Sequence, residues 1–240
     1  MGIEVSNTKA VSINDQHENG VDTSVHGNPT RDRIKAIPLI HVFRRNYKGT
    51  RQDDGNPLIH ALKGRRGFTI TPFWEGQVMS RARRILAEVA MDLQGFDHCM
   101  PMPSSSPFCA RFAAEVAQVA NAPLLPPTFL RKKRVGEVLQ ELAARPPRLR
   151  PAQRGPFASQ LHAWQGLDAN ADYQAKDVPL NLRHLVGPFA LQGPPPGIRG
   201  QRILVVDDLF STGSSILAAR EILQNQLGGQ VSGVCFLSGA

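Results

Sequence analysis

No stretch of this 240-residue chain approaches the roughly 18 uninterrupted apolar residues of a membrane-spanning helix, and its polar N-terminus lacks the apolar h-region of a secretory signal. A cytoplasmic protein without a membrane partner is expected. Cysteine is scarce: Cys99, Cys109 and Cys235 are odd in number, far apart and without metal-ligand spacing. That pattern suggests neither a disulfide framework nor a zinc site, and no resident metal ligands are assigned. Aromatic residues make up only 6% of the chain, no Gly-Lys pair of the kind that closes a Walker A phosphate loop occurs, and no internal repeat is found.

Hydrophobic residues at 41% against charged residues at 20% are the proportions of a packed globular chain, long enough for one ordinary domain plus an extension. The net charge of +8 is unevenly spread, with −3 over residues 1–30, +7 over 31–66 and +6 over 101–154. Basic blocks attract phosphate, on a small substrate or on nucleic acid; the plainer reading of any one run is a solvated face.

Residues 1–30 are rich in Asn, Ser, Asp, Gly and Thr, show no period, and read as a disordered leader. Residues 31–75 read as a basic N-terminal segment: a short strand over 34–43 interrupted at Pro38, then a turn-rich stretch from Arg44 to Gly67. Residues 76–240 read as an α/β domain. Val78, Ala82, Ile85, Leu86, Val89, Ala90 and Leu93 predict an amphipathic helix over 77–93. A buried strand over 96–102 follows, ended by Pro103-Ser104-Ser105-Ser106-Pro107, and Phe108, Phe112, Val116, Val119 and Ala120 predict a helix over 108–121. Proline and glycine crowd residues 145–200, predicting long irregular connections. The last forty residues read as strand 202–207, tight loop, helix 215–227 and strand 231–237, a unit of the parallel-sheet kind.

Ile203-Leu204-Val205-Val206 is a continuous, largely β-branched run, as in a strand buried on both faces, and it ends in Asp207-Asp208. Ligands of open α/β sheets bind outside the carboxyl ends of the strands, where these acids fall. Leu209-Phe210-Ser211-Thr212-Gly213-Ser214-Ser215 then leads into a helix whose N-terminal amides and dipole suit a phosphate monoester. The carboxylates would repel that anion unless they face another part of the same ligand. Ribose 5-phosphate meets both conditions, with vicinal hydroxyls for the acids and a phosphate for the loop. A Walker B strand also ends in acids but lacks its glycine-rich partner here, a receiver-type phosphoacceptor site needs separated acids and a late lysine, and the plain structural alternative is an unadorned strand, loop and helix.

The segment RILVVDDLFSTGSS, 202–215, resembles the phosphoribosyl pyrophosphate (PRPP) motif of type I phosphoribosyltransferases. The resemblance implies a parallel-sheet, Rossmann-like α/β fold and transfer of a 5-phosphoribosyl group to a nitrogen nucleophile, or hydrolysis of PRPP, with release of pyrophosphate. It implies that Asp207 and Asp208 hold the ribose hydroxyls as catalytic residues, that Phe210, Ser211, Thr212, Gly213, Ser214 and Ser215 bind the 5-phosphate, and that Mg²⁺ accompanies PRPP. The strand 96–102 with Pro103, Ser104 and Ser105 resembles the family's pyrophosphate-binding loop, and Arg131 and Lys132 lie where the family keeps a mobile basic loop. The order Lys63-Gly64, helix, DHCMPMPSSS, helix, Leu130-Arg131 and Gly187-Pro188-Phe189 is similar to the competence protein F group over residues 58–240, without that group's four-cysteine zinc module and with Phe108-Cys109-Ala110-Arg111 where it has Arg-Gly-Phe-Asn.

Arg131-Lys132-Lys133-Arg134 also reads as the solvated edge of a helix continued by Val135, Val138, Leu139 and Leu142. Together with Arg44, Arg45, Lys48, Arg51, Lys63, Arg65 and Arg66 it gives a third reading, nucleic-acid binding, with only Phe43, Tyr47, Phe68 and Trp74 nearby for stacking. The alternative function is therefore a non-catalytic PRPP sensor or nucleic-acid-associated protein, in a competence or phage-defence setting with an operon partner or as a homo-oligomer. Members acting on 6-oxopurines typically carry an acid where this chain has Ser211, which disfavours hypoxanthine or guanine. A hood over the acceptor is expected from 31–75 or 145–190. His41, His60, His98, His162 and His184 show no ligand spacing, and Phe157, Trp74 and Trp164 read as packing anchors.

Overall fold

The computed structural model describes residues 1–46, 56–179, 181–193 and 197–238. The chain forms two compact units, residues 1–129 with 194–240, and residues 130–193. The first opens with β1 (Gly2–Val5) and β2 (Ala10–Asn14), an antiparallel hairpin closed by a turn in which Lys9 N–H donates to Ser6 O. β3 (Val21–Asp22) and β4 (Thr30–Ile34) pair antiparallel with β5 (Ile37–Arg45). α1 (Pro57–Leu62) starts on Asn56, whose side-chain oxygen accepts from the amides of Leu58 and Ile59 at 3.0 and 3.3 Å. β6 (Thr69–Ile70) runs parallel to β2, and α2 (Pro72–Glu88), β7 (His98–Pro101) and α3 (Phe108–Ala120) follow.

The second unit holds β8 (Leu130–Lys132), α4 (Val135–Ala144), α5 (Pro151–Gln165) and β9 (Phe189–Leu191). β8 pairs antiparallel with β9, and Val135, Val138, Leu142, Trp164 and Tyr173 form its own small core. The chain then returns to the first unit through β10 (Arg202–Leu209), α6 (Ser214–Leu227) and β11 (Gln230–Leu237).

The main sheet has the order β3-β5-β11-β10-β7, with β5, β11, β10 and β7 mutually parallel. This is the expected α/β architecture with a parallel sheet. Alternation along β10 and β11 sends Leu204, Val206, Val234 and Phe236 into one core with α2 and α3, while Cys235 joins Ile37, Leu39 and Ile216 of α6 on the opposite face. Both faces being covered explains why Ile203 to Val206 read as an unbroken apolar run. Among the described residues no helix is long and apolar enough to cross a membrane.

Residues 1–30 are not a disordered leader. Ile3, Val11, Ile13 and Val21 are buried in the first unit's core, and Ile3 N–H donates to Asn19 O at 3.1 Å. The alternations Ile3-x-Val5 and Val11-x-Ile13 around a polar turn carry the hairpin signal, in windows too short for a period to stand out. Ile3→Ala is expected to cost about 2–4 kcal/mol, read as a lowered urea midpoint; a disordered leader predicts no shift. The boundaries at 30 and 75 are likewise absent, because β4 and β5 are integral to the main sheet. Pro38 does not interrupt β5: the parallel pairing with β11 begins one residue later, at Leu39, so the missing N–H breaks no bond to β11. Residues 145–200 are not wholly irregular either. Pro151 sits in the first turn of α5, where proline is tolerated, and Gln153 Oε1 accepts from Arg150 N–H at 3.0 Å.

Candidate active site

Three connections of the first unit meet at the carboxyl edge of the sheet. β10 ends in the acid pair and runs into the Phe210–Gly213 loop. β7 runs into the serine loop, anchored where Met102 N–H donates to Val206 O at 2.8 Å, immediately before Asp207. The turn after α1 supplies the third, reaching both others through side chains.

Asp208 is buried at 4% exposure, and its Oδ1 accepts from Lys63 Nζ at 2.6 Å. Asp207, less enclosed, accepts the amide of Asp208 on its own Oδ1 at 2.9 Å. Burial first, and then the charge of Asp208, hold the Asp207 carboxyl above the ordinary carboxylate range, against the opposing pull of the Asp208 amide and Lys63. The two acids thus occupy different environments, one neutralised by a fixed ammonium and one left proton-hungry. Cys109, on the first turn of α3, completes a group with Asp207 and Asp208 whose ligand atoms lie within 4.8 Å of one another. Burial, then both aspartate charges, raise its thiol far up, so it is not a thiolate nucleophile.

Beyond the acids, Phe210 N–H donates to Leu237 O at 2.9 Å and fixes the start of the loop to β11. Gly213 turns with φ +69°, and a Cβ there would lie 2.2 Å from Ile34 Cδ1 and 2.7 Å from the Phe210 ring. Only glycine satisfies both the left-handed backbone and the close packing. The Ser214 amide meets Thr212 Oγ1 at 3.4 Å, while the amides of Thr212, Gly213, Ser215 and Ile216 have no protein acceptor among the described residues. Gly213, Ser215 and Ile216 line an open concavity together with Asp207, Ser211 and Ser214. Acid and loop therefore face one space, as an anion-binding helix terminus next to a hydroxyl-binding carboxylate requires.

Pro103 is half-buried, and Ser104 and Ser105 are exposed on their loop, where Ser105 Oγ accepts from the Arg65 guanidinium. Arg131 and Lys132 lie on β8 of the second unit, in a paired strand and not on a loop. Glu137 takes the Arg131 guanidinium in a two-pronged ion pair at 2.6 and 2.7 Å and is itself held down to about 2, chiefly by that arginine. Lys133 pairs with Glu141 and Arg134 with Asp172. Of the other bases pooled for nucleic acid, Arg44 reaches Glu18 and Asp22, and Lys63 and Arg65 are engaged as described; Tyr47, Lys48 and Arg51 lie outside the described residues. His41 packs a tilted ring on Phe210 at 5.0 Å between centroids, and burial lowers its pKa. Trp164 is a core residue of the second unit.

Lys63, Arg65 and Cys109 are the site residues that sequence reasoning did not assign. The Lys63-Gly64 pair within a basic turn was the available signal for the first two; nothing local marks Cys109.

No family model matches the chain. Over 38 residues, 16% of the chain, it is 58% identical to an adenine phosphoribosyltransferase of Leuconostoc citreum strain KM20. Over 39 residues it is 49% identical to an adenine phosphoribosyltransferase of Koribacter versatilis strain Ellin345. Each match spans 21% of the curated relative's length. Among solved structures, a hypoxanthine phosphoribosyltransferase of Staphylococcus aureus aligns with a TM-score of 0.34 and 13% identity, covering 65% of this chain and 60% of that one.

Proposed function

We propose that the chain is a PRPP-binding phosphoribosyltransferase of the type I kind, acting on a nitrogen nucleophile. The observation that carries this reading is the shared concavity, in which Asp207, chain neighbour of the buried Asp208, and a loop of unpartnered amides stand side by side. The short identities to two adenine phosphoribosyltransferases support it. In the reaction, the nucleophile's lone pair forms a bond to the anomeric carbon from the face opposite the leaving group. The carbon–oxygen bond to pyrophosphate breaks, its electron pair leaves on pyrophosphate, and the nitrogen's proton passes to solvent.

Positive charge develops on the ribose as that bond loosens. A carboxylate about 4 Å away contributes roughly 4 kcal/mol at an effective dielectric of 20, before its own desolvation is counted. Asp207 and Asp208 are proposed for this and for orienting the hydroxyls, with the amides from Thr212 to Ile216 taking the 5-phosphate. Mg²⁺ would arrive on the substrate's phosphates. The carboxylate oxygens of Asp207 and Asp208 suit a hard cation, the protonated Cys109 thiol does not, and the ion would neutralise the leaving pyrophosphate.

Titration calorimetry with PRPP and Mg²⁺ is expected to give saturable binding that Asp207→Asn weakens about tenfold, the worth of one hydrogen bond to a charged group. Absence of heat with the unaltered protein overturns the proposal. Binding without pyrophosphate release against a panel of nitrogen bases would leave a PRPP sensor in its place.

A further inference from the structure

We infer that Lys63 and Arg65 receive the pyrophosphoryl end of the substrate, so that the turn between α1 and β6, together with the serine loop, builds that half of the site. This rests on the phosphoribosyltransferase reading above and deepens it by naming the cations.

The acid pair creates the problem that these residues solve. A pyrophosphoryl group carries several negative charges and must come to rest beside two carboxylates, so without fixed positive charge the site repels the leaving group that it has to hold. Of the bases expected for this from the sequence, Arg131 is gripped by Glu137, and Arg131 and Lys132 both belong to the second unit. Lys63 lies instead within the first unit, with the acids. Its side chain is only 12% exposed, and its ammonium rests on Asp208 Oδ1 at 2.6 Å. An ammonium has three donors, and no second protein acceptor takes the other two among the described residues. A largely buried cation with spare donors, held by one of the acids that the substrate must approach, presents those donors to an incoming anion.

Arg65 adds the second charge. Two residues on, past Gly64 at φ +61°, its guanidinium donates to Ser105 Oγ of the serine loop and keeps further donors in a planar fork suited to phosphate oxygens. The turn thus touches both walls, the acids through Lys63 and the serine loop through Arg65.

The test compares two ligands that differ in the group in question, PRPP and ribose 5-phosphate, each with Mg²⁺. Lys63→Met is expected to weaken PRPP binding at least tenfold while ribose 5-phosphate binds as tightly as before, or more tightly because Asp208 is released. Arg65→Ala, on an exposed side chain, is expected to show the same selectivity at three- to tenfold, and it decides the matter alone if Lys63→Met does not fold. Equal losses for the two ligands, or no loss for either, overturn the inference while leaving the parent reading intact. An unaltered protein that takes up neither ligand removes the parent reading itself.

Discussion

Gly213→Ala is expected to lower the melting temperature by several degrees and to weaken ribose 5-phosphate binding about a hundredfold. The left-handed backbone at Gly213 costs a residue with a Cβ about 1–2 kcal/mol. The new methyl would also stand 2.2 Å from Ile34 Cδ1 and 2.7 Å from the Phe210 ring, an overpacking that costs about 1–3 kcal/mol more. Relief by moving the loop displaces the amides of Gly213 to Ile216, which are proposed to take the phosphate. Ile34→Ala in the same chain removes the closer contact, so it should recover part of the melting temperature and little of the affinity. A Gly213→Ala protein that binds ribose 5-phosphate like the parent would show that the loop is not the phosphate seat.

Asp208→Ala is expected to destabilise the ligand-free protein by about 3–5 kcal/mol, the usual cost of stranding one member of a buried ion pair. Lys63, with its side chain 12% exposed, would be left without its carboxylate. Adding Lys63→Met replaces the stranded ammonium by an apolar chain of similar length and should restore most of that stability. Urea unfolding of the parent, both single variants and the double variant gives the coupling directly. An Asp208→Ala protein within about 0.5 kcal/mol of the parent, the range of ordinary surface substitutions, would mean that the pair is solvated and that the acid is free to turn elsewhere.

The acid strand and its loop were legible because all their determinants are local. A β-branched run, two acids, a glycine and a helix start occur within fourteen consecutive residues, and the sheet places them at its carboxyl edge as the pattern implies. Lys63 was not legible as the partner of Asp208 because 145 positions separate them, and only the folded chain brings the turn after α1 over the acids. The basic run at 131–134 illustrates the converse. Its charge was plain in the sequence, but Glu137, Glu141 and Asp172 engage Arg131, Lys133 and Arg134, three of its four bases, in ion pairs that composition does not reveal. At the N-terminus the obstacle was length, since β1 and β2 offer four and five residues each and leave an alternation only two apolar positions long. In α5 the obstacle was proline itself, which marks a break in most contexts but falls at Pro151 in a first turn that needs no amide there, while Pro156 is carried inside the helix.

The sheet has a further consequence for how the chain is made. β5 leaves a ribosome long before its parallel neighbour β11, which pairs Gly233 with Leu39 and Leu237 with Phe43. Until β11 emerges, that flank of β5 therefore holds a row of unmatched amides and carbonyls, an adhesive border for any other extended segment. The nascent protein is most exposed to mispairing in the interval before β11 slots in, and the Phe210–Gly213 loop gains its anchor in that same step, since Phe210 N–H donates to Leu237 O.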